Sequence, residues 1–241
     1  MFDTVILLTG TSEQAALRAA LRGHNPGLTF FAATTPEELD AIPAATLRNA
    51  RLIGFVTPVI VPKRMLDALG YGAYNFHPGP PHYPGWAPSH FAAYEGAREF
   101  GVTAHHMAER VDSGPIVGLD LFDAPDGGVM ALEVAAFVRL ARLFWLLSKA
   151  LATDPASMTP LPVQWSGHKG TKRRCAELCT MTLELGADEI NRRVTAFGGG
   201  YLGVVPQLLI HGHAFRYVPP EPQSETPAVG QPALEQLELA S

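Results

Sequence analysis

The chain reads as an α/β protein. Residues 1–165 predict an open, mostly parallel sheet, residues 166–218 a small C-terminal α+β subdomain, and residues 219–241 a disordered tail. Two observations predict this. Short apolar runs bounded by Gly, Pro or Thr alternate with amphipathic stretches, the pattern of strands joined by helical crossovers. A Pro- and Gly-containing stretch, Thr153–Gly170, then separates that alternation from two further helical stretches and a hairpin.

The elements follow in order. Val5–Leu8 is a continuous apolar run ending near Gly10, as expected of a strand buried on both faces. Thr11 and Gln14 have capping-box spacing for a helix through Ala15, Leu17, Ala20 and Leu21. Leu28–Ala33 is a second strand, and Glu37–Leu47 is helical but broken near Pro43. Leu52–Val56, the short helix Pro62–Leu69 and the strand Gly72–Phe76 complete the parallel unit, so His77 falls just past a carboxyl strand end. Open α/β sheets bind their ligands at such ends. Val102–Met107 and Ile116–Phe122 are further strands, with Asp112 in the loop between them.

Val129–Ala152 is the most apolar stretch, yet it carries Glu133, Arg139, Arg142 and Lys149. It reads as a buried or interface helix before a membrane span, which leaves a homodimer open. Beyond the linker, Cys175–Leu185 and Asp188–Phe197 read as helices, the second with Ile190, Val194 and Phe197 on one face. Val204–Ile210 and Ala214–Val218 flank His211-Gly212-His213 as a hairpin.

Composition bounds the function. A chain of 241 residues, 47% hydrophobic and 17% charged, holds one sizeable core, with room for a small appendage. A formal charge of −5 gives no general attraction to nucleic acid or to an anionic membrane. Cys175 and Cys179, four apart in a helix, suit neither a local disulfide nor a Cys-x-x-Cys metal site, so free thiols in a reducing cytoplasm are expected. The first residues lack the basic and apolar pattern of a signal peptide.

The chemistry concentrates in three blocks: Asn75-Phe76-His77-Pro78-Gly79, Gly101-Val102-Thr103-Ala104-His105, and Val111-Asp112-Ser113-Gly114-Pro115-Ile116. An amide can donate to a developing oxyanion, an imidazole titrates near neutral pH, and a carboxylate beside it orients and tunes the ring. A single Asn-x-His carries almost no information; three such blocks in this order and spacing are specific. Together they resemble the folate-dependent formyltransferases, strongly over about residues 50–120 and weakly elsewhere.

That resemblance implies a Rossmann-like formyltransferase fold and transfer of a formyl group from 10-formyltetrahydrofolate to a primary amine. It makes Asn75, His77 and Asp112 the catalytic residues. It makes Val59, Ile60 and Val61, with Asp112, the donor site, where backbone amides and carbonyls read a flat heterocycle. His105 matches a family position near the site, and His106 should face the other way on the same strand. Tyr83 and Trp86, in the loop after His77, are candidate stacking surfaces for a sugar or base. Each is also an ordinary loop aromatic.

No metal is expected, because His77, His82, His90, His105 and His106 lack ligand spacing. Lys169, Lys172, Arg173 and Arg174 form a basic run, read first as a solvated helix start and second as a phosphate contact. Among acceptors, the Asn-Phe-His-Pro-Gly-Pro-Pro wording and the helix-pair-plus-hairpin layout resemble most the nucleotide-linked amino-sugar N-formyltransferases. The loop from His77 to Gly85 is a residue shorter than in the purine-pathway relatives. The alternatives are methionyl-tRNA or another small amine as acceptor, hydrolysis of the formyl donor, and non-catalytic folate binding.

Overall fold

Val5, Ile6, Leu7 and Leu8 are all fully buried because strand β1 (Thr4–Leu8) pairs in parallel on both sides, with β2 (Thr29–Ala33) and with β3 (Ala50–Phe55). In this computed structural model, which describes residues 2–166, 169–199, 203 and 205–218, six strands form one sheet in the order β2-β1-β3-β4-β5-β6. β4 (Ala73–His77) continues the parallel run, while β5 (Glu99–His106) and β6 (Ile116–Asp123) are antiparallel additions. The sheet is the mostly parallel, Rossmann-like one that the sequence predicts. The expected tail, 219–241, lies outside the described residues.

The period of two along each strand splits the core between the sheet's faces. On one face Val5, Leu7, Ile53, Phe55 and Phe76 pack with Leu17 and Leu21 of α1 (Thr11–His24) and Leu140 and Phe144 of α6 (Gly128–Thr153). On the other, Ile6, Leu8 and Leu52 pack with Leu39 of α2 (Pro36–Asp40), Leu47 of α3 (Ala44–Leu47) and Met65 of α4 (Lys63–Ala68). The break expected near Pro43 separates α2 from α3.

Arg51 fastens β3 to α6. Its guanidinium is fully buried and donates to the carbonyls of Tyr71, Ala150, Leu151, Asp154 and Ala156 at 2.8–3.3 Å. A cation placed at the negative end of a helix dipole, with every donor used, makes a buried charge tolerable.

Two local expectations differ. α1 starts at Thr11 itself, with Gly10 as its cap residue and no side-chain cap, so the expected capping box is not made. The helix expected over Cys175–Leu185 is shorter: α7 runs Lys172–Cys179, and Thr180–Met181 forms a strand, β7. β7 leaves the helix because a parallel partner is available in β8 (Gln207–Ile210), which in turn forms the expected hairpin with β9 (His213–Arg216). α8 (Ala187–Phe197) packs on α5 (Pro88–Glu95) through Phe197, whose ring lies 5.7 Å from Phe91 and 6.0 Å from Tyr94. Cys175 and Cys179 are buried free thiols within that packing. Among the described residues no helix is long and apolar enough to cross a membrane.

Candidate active site

Strand pairing assembles the polar cluster. The antiparallel register of β4 and β5 sets Asn75 opposite His105 and His77 opposite Thr103. Asn75 Nδ2 lies 3.2 Å from His105 Nε2. The His105 Nδ1–H donates to the His106 carbonyl at 2.8 Å, leaving Nε2 to accept from the amide. His106 faces the other side of the strand, against the Tyr74 ring and the Met158 carbonyl.

Asp112 reaches this cluster from the β5–β6 loop. Its Oδ1 is 3.2 Å from His105 Nε2 and its Oδ2 is 3.5 Å from His77 Nδ1. The Gly85 N–H donates to the same Oδ2 at 2.7 Å. His77 Nε2–H donates to the Tyr83 carbonyl at 3.0 Å. One carboxylate therefore lies between two imidazoles, each anchored at its other nitrogen by a backbone carbonyl.

Burial sets the charges. Burial pushes His77 below the usual imidazole range, against the pull of Asp112 and the Tyr83 carbonyl. For Asp112, burial alone would raise the carboxyl; His77, His105 and the Gly85 N–H outweigh it and bring the group to about 2. Part of that lowering draws on positive charge at His77, which burial discourages. The Gly85 N–H holds the carboxylate ionised without it, so the resting pair is an ionised Asp112 beside a neutral His77.

Three non-glycine residues with left-handed backbone, Val56 (φ 47°), Ala87 (φ 54°) and Asp112 (φ 48°), line one cavity. For a β-branched residue such as Val56 this is costly, and strain of this kind persists where surrounding structure imposes it, commonly at functional sites. The cavity holds about 540 Å³ and is also lined by Asn75, His77, Trp86, Lys169 and Lys172. It shares Thr57, Pro58, Ile60, Asn75, Val111 and Asp112 with a smaller one of about 80 Å³, which adds Val59, Val61 and His105. Among the described residues Asn75 Oδ1, which is buried, has no hydrogen-bond partner.

The expected donor loop, Val59, Ile60 and Val61, thus adjoins the polar cluster. Among the described residues Ile60 and Val61 use neither N–H nor C=O in a backbone hydrogen bond, so both remain free to meet a ligand. Trp86 lines the larger cavity. Tyr83 does not offer the open stacking face expected of it. Its ring is buried, 6.1 Å from Phe100, and burial together with Glu95 raises its phenol above the usual range. Its backbone carbonyl, rather than its ring, serves the site.

Two contributors carry no signal in the sequence. Trp165, from the linker, meets His105 and His77 edge-on, with ring centroids at 5.0 and 5.8 Å, and its indole N–H donates to the Gly114 carbonyl at 2.8 Å. Gly54 sits beside Asn75 in the β3–β4 register; a Cβ there would fall 2.9 Å from Asn75 Oδ1. Among the described residues no group of three or more His, Cys, Asp or Glu side chains could hold a metal ion.

Asn75, His77, His105 and Asp112 thus gather at the end of β4 in an open, mostly parallel sheet. Residues 52–121 match the family model for formyl transferase. Methionyl-tRNA formyltransferase of Listeria monocytogenes is 31% identical over 122 residues, 49% of this chain and 37% of that protein. The chain thus covers well under half the length of the curated relatives it matches.

The solved structure of a sugar N-formyltransferase from Shewanella sp superposes with a TM-score of 0.72 at 15% identity, covering 90% of this chain and 97% of that one. An N-formyltransferase from Helicobacter canadensis, in complex with folinic acid and dTDP-3-aminofucose, gives 0.62 at 12% identity, covering 88% and 85%. At such identities the likeness is one of fold.

Proposed function

We propose that the protein transfers a formyl group from 10-formyltetrahydrofolate to a primary amine on a nucleotide-linked amino sugar. The observation that carries this reading is the convergence of Asn75, His77 and Asp112 on one cavity, with the buried Asn75 Oδ1 still lacking a donor. The donor's formyl carbon is the electrophile. The free groups of Ile60 and Val61 hold the flat end of the donor, beside Asp112.

The acceptor amine attacks the formyl carbon. Asn75 Oδ1 accepts one amine hydrogen and aligns the nitrogen lone pair. The Asn75 Nδ2 group has two hydrogens and gives only one to His105, so the second can donate to the developing oxyanion. The attacking nitrogen must lose a proton and the leaving folate nitrogen must gain one. The neutral His77, whose Nδ1 lone pair faces the ionised Asp112, can carry that proton, because the carboxylate stabilises the imidazolium while it lasts. The carbon–nitrogen bond to folate then breaks. Atoms balance without a covalent enzyme intermediate.

The matched curated sequences are methionyl-tRNA formyltransferases, so tRNA is the competing acceptor. Charge favours the small acceptor: a net −5 gives little of the phosphate neutralisation that dominates nucleic-acid affinity. A competition assay decides it, offering 10-formyltetrahydrofolate with charged initiator tRNA and a panel of amino-sugar nucleotides. Turnover on a sugar nucleotide is expected. Formylation of the tRNA alone would reject the acceptor, and formate release with no amine present would favour hydrolysis.

A further inference from the structure

We infer that Lys169 and Lys172 form an anion subsite at the catalytic cavity, suited to the diphosphate of the acceptor. This deepens the transfer reading and rests on it only for the amine end of that molecule.

The structure divides the basic run that the sequence shows as one block. Arg173 points to solvent, its side chain 89% exposed, and pairs with Glu177. Arg174 lies over the Phe91 ring, 5.9 Å from its centroid, beside a second cavity that Lys169 also borders, and does not line the catalytic one. Lys169 and Lys172 instead line the 540 Å³ cavity that also contains Asn75, His77 and Asp112. Among the described residues neither lysine has a carboxylate within ion-pair distance. Among the described residues the cavity's sole acidic lining residue, Asp112, is already engaged by Gly85, His77 and His105. The cavity wall therefore carries two uncompensated cations and calls for an anion of the acceptor.

Their position is built into the fold. The Trp86 N–H donates to the Gly170 carbonyl at 2.9 Å, and the Gly170 N–H donates to the Pro84 carbonyl at 2.8 Å. This clamps the lysine segment onto the loop that follows the catalytic strand. Glycine is required on both sides of the clamp. A Cβ on Gly85, whose φ is +90°, would fall 2.4 Å from the Gly170 carbonyl oxygen, and one on Gly170 the same distance from that of Trp86. Lys169 is further steadied by donating to the Val111 carbonyl at 3.2 Å. Two lysines at one cavity match a diphosphate; a tRNA backbone would need a longer basic track.

The test is calorimetric binding of dTDP, UDP, inorganic pyrophosphate and folinic acid to the full chain. It compares the wild type with Lys169→Ala, Lys172→Ala, Lys172→Gln and, as a surface control, Arg173→Ala. The wild type should bind the diphosphates, and each lysine variant should bind them about tenfold more weakly. Arg173→Ala should stay within about twofold, since exposed ion pairs contribute little. Folinic acid affinity should not move.

Absence of diphosphate binding by the wild type, or binding indifferent to both lysines in variants of unchanged melting temperature, would overturn the subsite. Weakening of folinic acid binding instead would assign the lysines to the donor and equally overturn it. Formyl transfer is judged separately. Lysine-dependent diphosphate binding without any turnover removes the reaction and keeps the site, whereas turnover with lysine-independent binding does the reverse.

Discussion

Asn75 and His105 face each other across the β4–β5 ladder, with the amide nitrogen of one 3.2 Å from Nε2 of the other. On its other side Asn75 meets Gly54, its partner in the β3 register. The amide is therefore held between an imidazole and a position with no side chain, and the hydrogen left on Nδ2 has one direction to point.

Substituting Gly54→Ala tests that arrangement. The added Cβ would lie 2.6 Å from Met107 Cε and 2.9 Å from Asn75 Oδ1, both ends of mobile side chains. The strand should survive while the amide rotates off His105. Formyl transfer should fall about tenfold or more, by analogy with loss of one oxyanion donor, and the melting temperature should change by only a few degrees. Wild-type turnover would show that Asn75 does not need its present orientation.

His77→Asn and Asp112→Asn should each reduce formyl transfer by about 10²–10⁴. Asparagine is the useful replacement at 112. The position has φ 48°, which Asn tolerates, whereas Ala would add backbone strain to the loss of charge. Steady-state rates with matched circular dichroism spectra check this, and near-normal turnover in either variant removes that residue from the chemistry.

The sheet, its strand ends and the three polar blocks are legible in the sequence because strand periodicity and short-range turn chemistry encode them. Asn75 and His105 can be set on strands, though neither the pairing of those strands nor their register can be read. What is not legible depends on contacts between distant segments. Arg51 falls outside the strand expected from Leu52, and its place inside β3 has no explanation until α6 presents its carbonyls. Trp165 looks like a linker residue until the chain folds back over His77 and His105. Tyr83 suggests a stacking face, but Phe100 takes its ring into the core. The basic run reads as one block because sequence spacing cannot show that Lys169 and Lys172 line one cavity while Arg173 turns to solvent and Arg174 lies over Phe91.

Arg51 also yields a stability prediction. Arg51→Ala should cost about 3–5 kcal/mol, the usual range for breaking a buried, fully partnered charge network. Here the carbonyls it serves would be left without donors. Arg51→Lys should recover little, because an ammonium cannot span the same five acceptors. Urea titration measures both, and a loss under 1 kcal/mol for the alanine variant would contradict the role given to this contact.

Stability should fall as pH is lowered, in two windows. His77 is depressed below its ordinary 6.5 by burial, so the unfolded chain binds that proton more readily than the folded one. Its contribution is complete above about 6.5 and declines as pH falls toward the folded value. Asp112, lowered from 3.8 to about 2, contributes fully above 3.8 and loses its contribution as pH falls through 2. The first window should flatten in His77→Asn and the second in Asp112→Asn. Denaturant midpoints collected across pH give the slopes, and identical slopes in wild type and variants would refute the linkage.

Trp165 offers a test of how the site sets its charge. Burial is the main cause of the low His77 pKa, and the indole covers an edge of that ring at 5.8 Å while reaching His105 at 5.0 Å. In Trp165→Ala water gains access to the imidazole, so its pKa should rise toward 6.5. The acid limb of kcat/KM reports the free enzyme's essential groups and should move to higher pH by the same amount. Trp165→Phe keeps an aromatic cover but loses the hydrogen bond to Gly114, so it should stay near wild type if desolvation is the cause. NMR titration of His77 gives an independent reading of the same shift. An unmoved acid limb in a folded Trp165→Ala protein would mean that the cover does not control His77. Equal shifts in the Ala and Phe variants would trace the effect to the Gly114 contact and to the position of Asp112 on the same loop.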